Sequence, residues 1–200
     1  MHRKRDYDKK FLYKPNLDFC RYAFLAQNAA EINNENIEGA TAEAGVYRGD
    51  FAALINKFFP NKKLYLFDTF NDFDSRDLEN DPSNAIVKYW GDTSENVVLS
   101  KMPYKENIEI RKGYFPETAK GLEEERFAFV SLDMDLYKPM KSGLEFFYPK
   151  LSSGGIIMAH DYYHHGYSAK QAIDEFAKEK AIPFIVLTDF AGTAVFKKPL

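Results

Sequence analysis

The stretch IEGATAEAGVYRGDFAALINKFF, residues 37–59, decides the fold class. Its first part is a run of small and apolar residues, which predicts a strand over Ile37–Val46. A glycine-containing turn follows, and the apolar spacing of Asp50–Phe59 predicts a helix that ends before Pro60. A strand that leads directly into a helix is the first half of a β-α-β unit and indicates a parallel sheet.

The same alternation of strands and helices continues outward from this stretch. Further strands are predicted over Leu64–Phe67, Ile108–Ile110, Phe127–Leu132, Ile156–Ala159, Ile182–Leu187 and Thr193–Phe196. Further helices are predicted over Leu17–Ala30, Ser94–Lys101, Tyr137–Leu151 and Ser168–Lys180. Only a short turn at Ala191-Gly192 separates the last two strands, so we expect that pair to be antiparallel. The predicted fold is α/β and Rossmann-like: a mostly parallel seven-stranded sheet with an antiparallel C-terminal hairpin and helices on both faces.

Length and charge narrow the possible classes of protein. We predict a single domain over residues 1–200, with an N-terminal helical segment at 1–35 and a 39-residue insertion, a candidate lid, at 69–107. With 27 Lys and Arg against 30 Asp and Glu, nucleic acid is not an expected partner. The single Cys20 excludes an intrachain disulfide. No apolar run reaches the roughly 18–20 residues of a membrane span, and we expect a cytoplasmic protein.

Ligands of open parallel sheets bind beyond the carboxyl ends of the strands, so the residues at those ends carry the functional signal. The first strand ends in Glu43, followed by Gly45 and Gly49, which is not the dinucleotide pattern GxGxxG. The second strand ends in Asp68, 25 residues after Glu43, near the position of the carboxylate that binds ribose in nucleoside-binding folds. Each feature alone also fits an ordinary turn or a helix cap. Together they indicate an adenosine site.

Three aspartates follow the fourth and fifth strands. Asp133 and Asp135 are two residues apart and are expected to project to the same side of an extended segment. If the two strands are neighbours, Asp161 lies about 5 Å from Asp133. Carboxylates that close repel each other unless a cation joins them, and oxygen ligands on separate strands suit Mg²⁺. The alternative is that these residues only cap two loops.

Five blocks of this sequence resemble the signature blocks of the macrocin O-methyltransferase (TylF-type) family. They are Glu43-Ala44-Gly45-Val46-Tyr47-Arg48-Gly49, Leu66-Phe67-Asp68-Thr69-Phe70, Lys112-Gly113-Tyr114-Phe115-Pro116-Glu117-Thr118, Leu132-Asp133-Met134-Asp135-Leu136-Tyr137 and Asp161-Tyr162. The resemblance covers about Glu43 to Phe176. It implies a class I methyltransferase that uses S-adenosylmethionine and Mg²⁺ to methylate sugar hydroxyls. The antiparallel C-terminal hairpin is typical of that class.

The resemblance also implies roles for individual residues. Glu43, Gly45 and Gly49 would form the methionine end of the cofactor pocket, Asp68 would hold the ribose, and the turn at 113–115 would lie near the adenine. The full set of implied cofactor-binding residues is Glu43, Gly45, Tyr47, Arg48, Gly49, Asp68, Thr69, Phe70, Gly113, Tyr114, Phe115 and Asp133.

The implied metal site departs from the family pattern at one position. Asp133 and Asp161 match metal ligands, but His160 stands where the family usually has another aspartate. His160 is then either a nitrogen ligand, which would favour Mn²⁺ or Zn²⁺ over Mg²⁺, or no ligand. The candidate general base is Asp135, with His160 as the alternative.

Two other functions stay open at this stage. A nicotinamide-dependent oxidoreductase is disfavoured by the missing GxGxxG and by the terminal hairpin. A cofactor-binding module without turnover is kept open by the departure at His160. The expected partner is a small hydroxylated, sugar-bearing acceptor; charge and hydropathy favour no nucleic-acid or membrane partner, and the resemblance implies a homo-oligomer.

Overall fold

The computed structural model describes residues 18–83 and 90–200, and within them the strands form one seven-stranded sheet. The strands are β1 (Ala40–Ala44), β2 (Leu64–Asp68), β3 (Ile108–Lys112), β4 (Phe127–Leu132), β5 (Leu151–Ala159), β6 (Ile185–Val186) and β7 (Ala194–Lys197). Their order in the sheet is β3-β2-β1-β4-β5-β7-β6. Strand β7 is antiparallel to both β5 and β6, and the other pairs are parallel. The predicted sheet and its antiparallel hairpin are confirmed.

Helices cover both faces of this sheet. They are α1 (Phe19–Asn34), α2 (Asp50–Phe58), α3 (Ser75–Leu78), α4 (Glu95–Lys101), α5 (Tyr137–Phe147) and α6 (Ala169–Lys180). Alternate residues of β2 point to opposite faces: Tyr65 and Phe67 join the core under α5 and α6, whereas Leu64 and Leu66 join the core under α1 and α2. None of the helices in the described ranges has the length and apolar character needed to cross a bilayer.

Two predicted boundaries were wrong for identifiable reasons. Strand β5 begins at Leu151, five residues before the predicted start, because residues 152–155 (Ser-Ser-Gly-Gly) continue the strand across an irregularity in its pairing with β4. Helix α5 correspondingly ends at Phe147, and a 3-10 turn over Tyr148–Lys150 leads into the strand. Glycine and serine are typical of turns and loops, so the sequence pattern placed the start of the strand too far along the chain.

The first described helix starts at a strong cap. Asp18 accepts hydrogen bonds from the backbone N–H groups of Cys20 and Arg21, so α1 begins at Phe19. The predicted start at Leu17, with the rest of the N-terminal segment before it, lies outside the described residues. The second oxygen of Asp18 accepts from the backbone N–H of Phe190, which fixes the start of α1 to the loop between β6 and β7.

The insertion at 69–107 carries α3 and α4 and contacts the main fold through Asp81. One oxygen of Asp81 accepts hydrogen bonds from the backbone N–H of Tyr137 and from the hydroxyl of Ser168. These two residues lie at the starts of α5 and α6. Asp81 therefore ties the insertion to the same edge of the sheet at which β4 and β5 end, and other residues of the insertion line the space there.

Candidate active site

A cavity of about 810 Å³ lies at the carboxyl ends of β1, β2, β4 and β5. Most of the predicted site residues line it: Glu43, Gly45, Tyr47, Arg48, Asp68, Thr69, Gly113, Tyr114, Phe115, Asp133, Asp135, His160 and Asp161. Gly49 and Phe70 do not contribute to its wall. Gly49 precedes α2 against Val98, and the Phe70 side chain belongs to the core under α1 and α2. The strand-end reasoning therefore located the cavity.

Glu43 lies in the floor of the cavity and is only 2% exposed. Its Oε2 atom has no hydrogen-bond partner. Burial raises the pKa of Glu43 well above its ordinary value, and Asp133 raises it further, while Arg21 acts in the opposite direction. An unpaired oxygen of a buried carboxyl group is destabilising unless a ligand satisfies it, and Glu43 lines the cavity from which a ligand can do so. Glu43 is therefore suited to a cationic, hydrogen-bond-donating part of a ligand.

Asp68 organises the turn that follows β1. Its Oδ2 accepts hydrogen bonds from the backbone N–H groups of Val46 (2.6 Å) and Tyr47 (2.8 Å), and its Oδ1 accepts from that of Phe70 (2.6 Å). Burial raises the pKa of Asp68, although these three hydrogen bonds act to lower it. Oδ1 keeps acceptor capacity for a ligand hydroxyl. The carboxylate that the sequence marked as ribose-binding thus also holds the glycine turn in place.

Asp133, His160 and Asp161 meet at the ends of β4 and β5, as their neighbouring positions predicted. His160 Nδ1 lies 3.0 Å from Asp133 Oδ1 and 3.2 Å from Asp161 Oδ1. One potential ligand atom from each residue lies within 4.8 Å of the others. Burial lowers the pKa of His160, but the charge of Asp133 and the hydrogen bonds with Asp133 and Asp161 together outweigh this and raise it to about 9. The imidazole is thus held between two carboxylates.

Asp135 does not continue the extended strand, which corrects the expectation that it projects beside Asp133 as in a flat segment. Its φ of 59° is left-handed, and its carbonyl accepts the backbone N–H groups of Ser168 and Ala169 at the start of α6. Asp135 still borders the cavity but is not one of the three clustered ligand residues. The chain turns here because α5 begins only two residues later.

Sequence reasoning missed Arg21, which reaches the cluster from the first turn of α1. Both terminal nitrogens of its guanidinium group contact Asp133 Oδ2, at 3.2 and 3.3 Å. The group also lies over the ring of Phe51, 4.3 Å from its centroid. Burial acts to raise the pKa of Asp133, but His160 and Arg21 together lower it. A lone arginine in a helix has no sequence signal that links it to a residue 112 positions away.

A second missed residue, Asp77, lies at the opposite end of the cavity. Tyr114 donates its hydroxyl hydrogen to Asp77 Oδ1 over 2.9 Å, and the guanidinium of Arg76 lies 3.6 Å from the centre of the Tyr114 ring. Asp77 is only 7% exposed, and burial raises its pKa to about 6. Because Tyr114 belongs to the segment expected near adenine, the insertion contributes to that part of the cavity wall.

Replacing Asp77 with asparagine should stabilise the protein above pH 6. The raised pKa means that the fold favours protonated Asp77, so the wild type loses this stability as the pH rises through about 6. Asparagine resembles the protonated form at every pH. With allowance for screening by water in the cavity, we expect a gain of about 1 kcal/mol at pH 8 and little change at pH 4. Urea unfolding at both pH values measures it, and the exposed Glu79→Gln should match the wild type at each.

Comparisons with known proteins bear on the family and the fold of this chain. The family model described as Macrocin-O-methyltransferase (TylF) matches residues 18–198. A curated relative from Streptomyces olivaceus, 8-demethyl-8-(2,3-dimethoxy-alpha-L-rhamnosyl)-tetracenomycin-C 4'-O-methyltransferase, is 24% identical over 165 residues, which cover 74% of this chain. The same alignment covers 59% of that relative, so the chain spans less than two thirds of its length.

Two solved structures share the fold over most of this chain. The O-methyltransferase NovP superimposes with a TM-score of 0.70 and 21% identity, covering 90% of this chain and 80% of its own. CalS11, a calicheamicin methyltransferase, superimposes with a TM-score of 0.70 and 16% identity, covering 88% of this chain and 78% of its own. At these identities the likeness establishes the fold.

Proposed function

The chain belongs to the macrocin O-methyltransferase (TylF) family, and from that premise we propose that it transfers the methyl group of S-adenosylmethionine to a hydroxyl of a sugar or sugar-containing metabolite. The observation that carries the proposal is the unpaired, buried Oε2 of Glu43 in the floor of the cavity. A carboxylate there fits the ammonium group at the methionine end of this cofactor, which would supply the missing donors. Nicotinamide cofactors have no such ammonium group.

Other residues that line the cavity would make the remaining contacts with the cofactor. Asp68 would accept a ribose hydroxyl at Oδ1, and Tyr114 with Phe115 would border the adenine. Tyr47, Arg48 and Thr69 also line this cavity. In this proposal the cofactor supplies the electrophilic methyl group, and the protein binds it in one orientation so that the acceptor oxygen approaches in line.

The acceptor proposal rests on the relatives. The name of the Streptomyces olivaceus relative describes O-methylation of a tetracenomycin C that carries a dimethoxy-rhamnosyl group. In this chain His164, Tyr167 and Phe190 also line the cavity. The Phe190 side chain is 95% exposed, which is unusual for a residue bordering a cavity, and it offers a flat apolar surface to an acceptor.

We propose Asp135 as the general base. His160 is the weaker candidate because its Nδ1 already lies between Asp133 and Asp161. Asp135 faces the cavity outside that cluster, where it can accept the proton of the acceptor hydroxyl as the oxygen attacks the methyl group.

Metal assistance forms a finer part of the proposal. Two carboxylates and an imidazole are chemically suited to a divalent cation, and the nitrogen donor favours Mn²⁺ over Mg²⁺. Asp133, His160 and Asp161 would hold the ion, which when bound would lower the pKa of a coordinated hydroxyl. We also propose a cytoplasmic homo-oligomer with one domain and a lid formed by the insertion.

Binding of S-adenosylhomocysteine to Glu43→Gln tests the proposal. The change keeps the shape of the side chain but removes the charge that would meet the ammonium group, so the Kd should rise by about 30-fold or more. The variant should also unfold at higher urea near neutral pH, because burial of the Glu43 carboxylate is costly. Calorimetry gives the affinity, and the exposed Glu31→Gln is the control.

The outcomes separate the alternatives. Equal affinity in Glu43→Gln and the wild type would contradict the placement of the methionine end. Quenching of NADH fluorescence by the protein, without S-adenosylhomocysteine binding, would favour the oxidoreductase. Tight binding without methyl transfer to any of a panel of glycosylated acceptors would favour the non-catalytic module.

A further inference from the structure

The guanidinium group of Arg21 occupies one face of Asp133, the residue that would also hold a metal ion. Both terminal nitrogens contact the same oxygen, Oδ2, and His160 Nδ1 contacts the other oxygen, Oδ1. Each carboxylate oxygen of Asp133 therefore already faces a cationic or hydrogen-bond-donating group of the protein. A divalent cation reaching Asp133 must share or displace one of these contacts.

The contact between Arg21 and Asp133 is long for its type. Charge-assisted N–H···O hydrogen bonds are usually about 2.7–2.9 Å, and arginine usually binds a carboxylate with two nitrogens on two oxygens. Here both distances exceed 3.1 Å and a single oxygen is used. These long contacts to a single oxygen indicate a weak ion pair, in which another cation can replace Arg21 as the counter-ion of Asp133.

Arg21 is nevertheless held close to the cluster by its surroundings. Its side chain is 11% exposed and stacks on Phe51, and α1 is fixed at its start by the contacts of Asp18 with the helix and with the loop at Phe190. The positive charge therefore stays beside Asp133 whether or not the contact is made. A cation at Asp133 would meet this like charge at short range, which lowers its affinity.

We infer that Arg21 is a built-in counter-ion of Asp133 that competes with a divalent cation, so that metal binding is weak until this contact is given up. The inference rests on the proposed function of the site, since it uses the same three metal-holding residues. The consequence is a site whose occupancy depends on the metal concentration and on the N-terminal helix that carries Arg21. In this chain Arg21 serves as a positioning residue for Asp133 when no cation is bound.

Titration with Mn²⁺, followed by the electron paramagnetic resonance signal of the free ion, tests the inference without measuring activity. Arg21→Met keeps the length and apolar packing against Phe51 but removes the charge, and its Mn²⁺ affinity should rise about tenfold or more over the wild type. Arg126→Met is the matched control. Arg126 is exposed outside the cavity, where it donates to the carbonyl of Pro149, so this change should leave the affinity within about threefold.

Two further variants make each result interpretable. Arg21→Lys retains a positive charge and should bind Mn²⁺ more weakly than Arg21→Met. If the methionine variant does not fold, Arg21→Gln also removes the charge and should show the same gain. Adding Asp133→Asn to Arg21→Met should abolish the gained affinity. Equal Mn²⁺ affinity in the wild type and Arg21→Met, or a gain that survives Asp133→Asn, would overturn the inference.

The proposed function is tested separately in the same samples. S-adenosylhomocysteine binding to the wild type reports on the cofactor site and does not require Arg21 to act on a metal. Absence of Mn²⁺ binding in every variant, with S-adenosylhomocysteine still bound, would overturn the inference and leave the proposed methyl transfer in place.

Discussion

Replacing Gly45 with alanine should remove most of the stability of the protein. Gly45 has a φ of +82°, and a Cβ atom added there would lie 1.9 Å from the backbone oxygen of Asp133. The neighbouring backbone is fixed on both sides, because Gly45 donates to the carbonyl of Phe67 and Ala44 accepts from the N–H of Asp133. Neither strand can move without losing hydrogen bonds of the central sheet. We expect a loss of more than about 4 kcal/mol in the free energy of unfolding.

Gly121→Ala separates the two causes of this loss. Gly121 also has a positive φ, +87°, but nothing lies within 4 Å of an added Cβ. Its replacement should cost only the backbone strain, about 1–2 kcal/mol. Urea unfolding of both variants measures the difference. A Gly45→Ala variant no less stable than Gly121→Ala would mean that the backbone at Asp133 yields easily, contrary to the close contact described here.

The geometry at Gly45 shows why the sequence could locate this part of the cavity. Gly45 is needed where the backbone at the end of β1 passes close to the backbone at the end of β4. The same close approach of the two strand ends places Glu43 and Asp133 at one cavity. Local sequence records such a requirement, because only glycine tolerates both the positive φ and the close approach. The largely apolar sequences of β2 and β4 likewise indicated a buried parallel sheet, so the order of strands and helices along the chain was predictable.

Other parts of the site depend on contacts between residues that are distant in the sequence, and no local sequence pattern indicates such contacts. Arg21 contacts Asp133 across 112 residues, and Asp77 meets Tyr114 across 37. Both side chains are charged types that are common in helices, where a solvent-facing position is the ordinary interpretation. The left-handed backbone of Asp135 was missed for the same reason, since its carbonyl accepts hydrogen bonds from Ser168 and Ala169, which are distant in the sequence.

Replacing Asp135 with asparagine should lower kcat by about 10²–10⁴-fold, because the amide cannot accept the proton of the acceptor hydroxyl. Asparagine is the suitable substitute, since it tolerates the φ of 59° and keeps the backbone carbonyl that Ser168 and Ala169 bind. The fold and the affinity for S-adenosylhomocysteine should therefore change less than threefold. Asp50→Asn is the control. Asp50 also lines the cavity, but its exposed carboxylate pairs with Lys101, so kcat should stay within about twofold.

The pH profile distinguishes a lost base from a distorted site. Without Asp135 the proton must leave to hydroxide, so the residual rate of Asp135→Asn should rise continuously with pH where the wild-type rate is level. A uniform loss at all pH values would indicate misplacement of the acceptor instead. Full activity in Asp135→Asn together with a large loss in His160→Gln would assign the base to His160, and Asp135 would then serve only to turn the chain from β4 into α5.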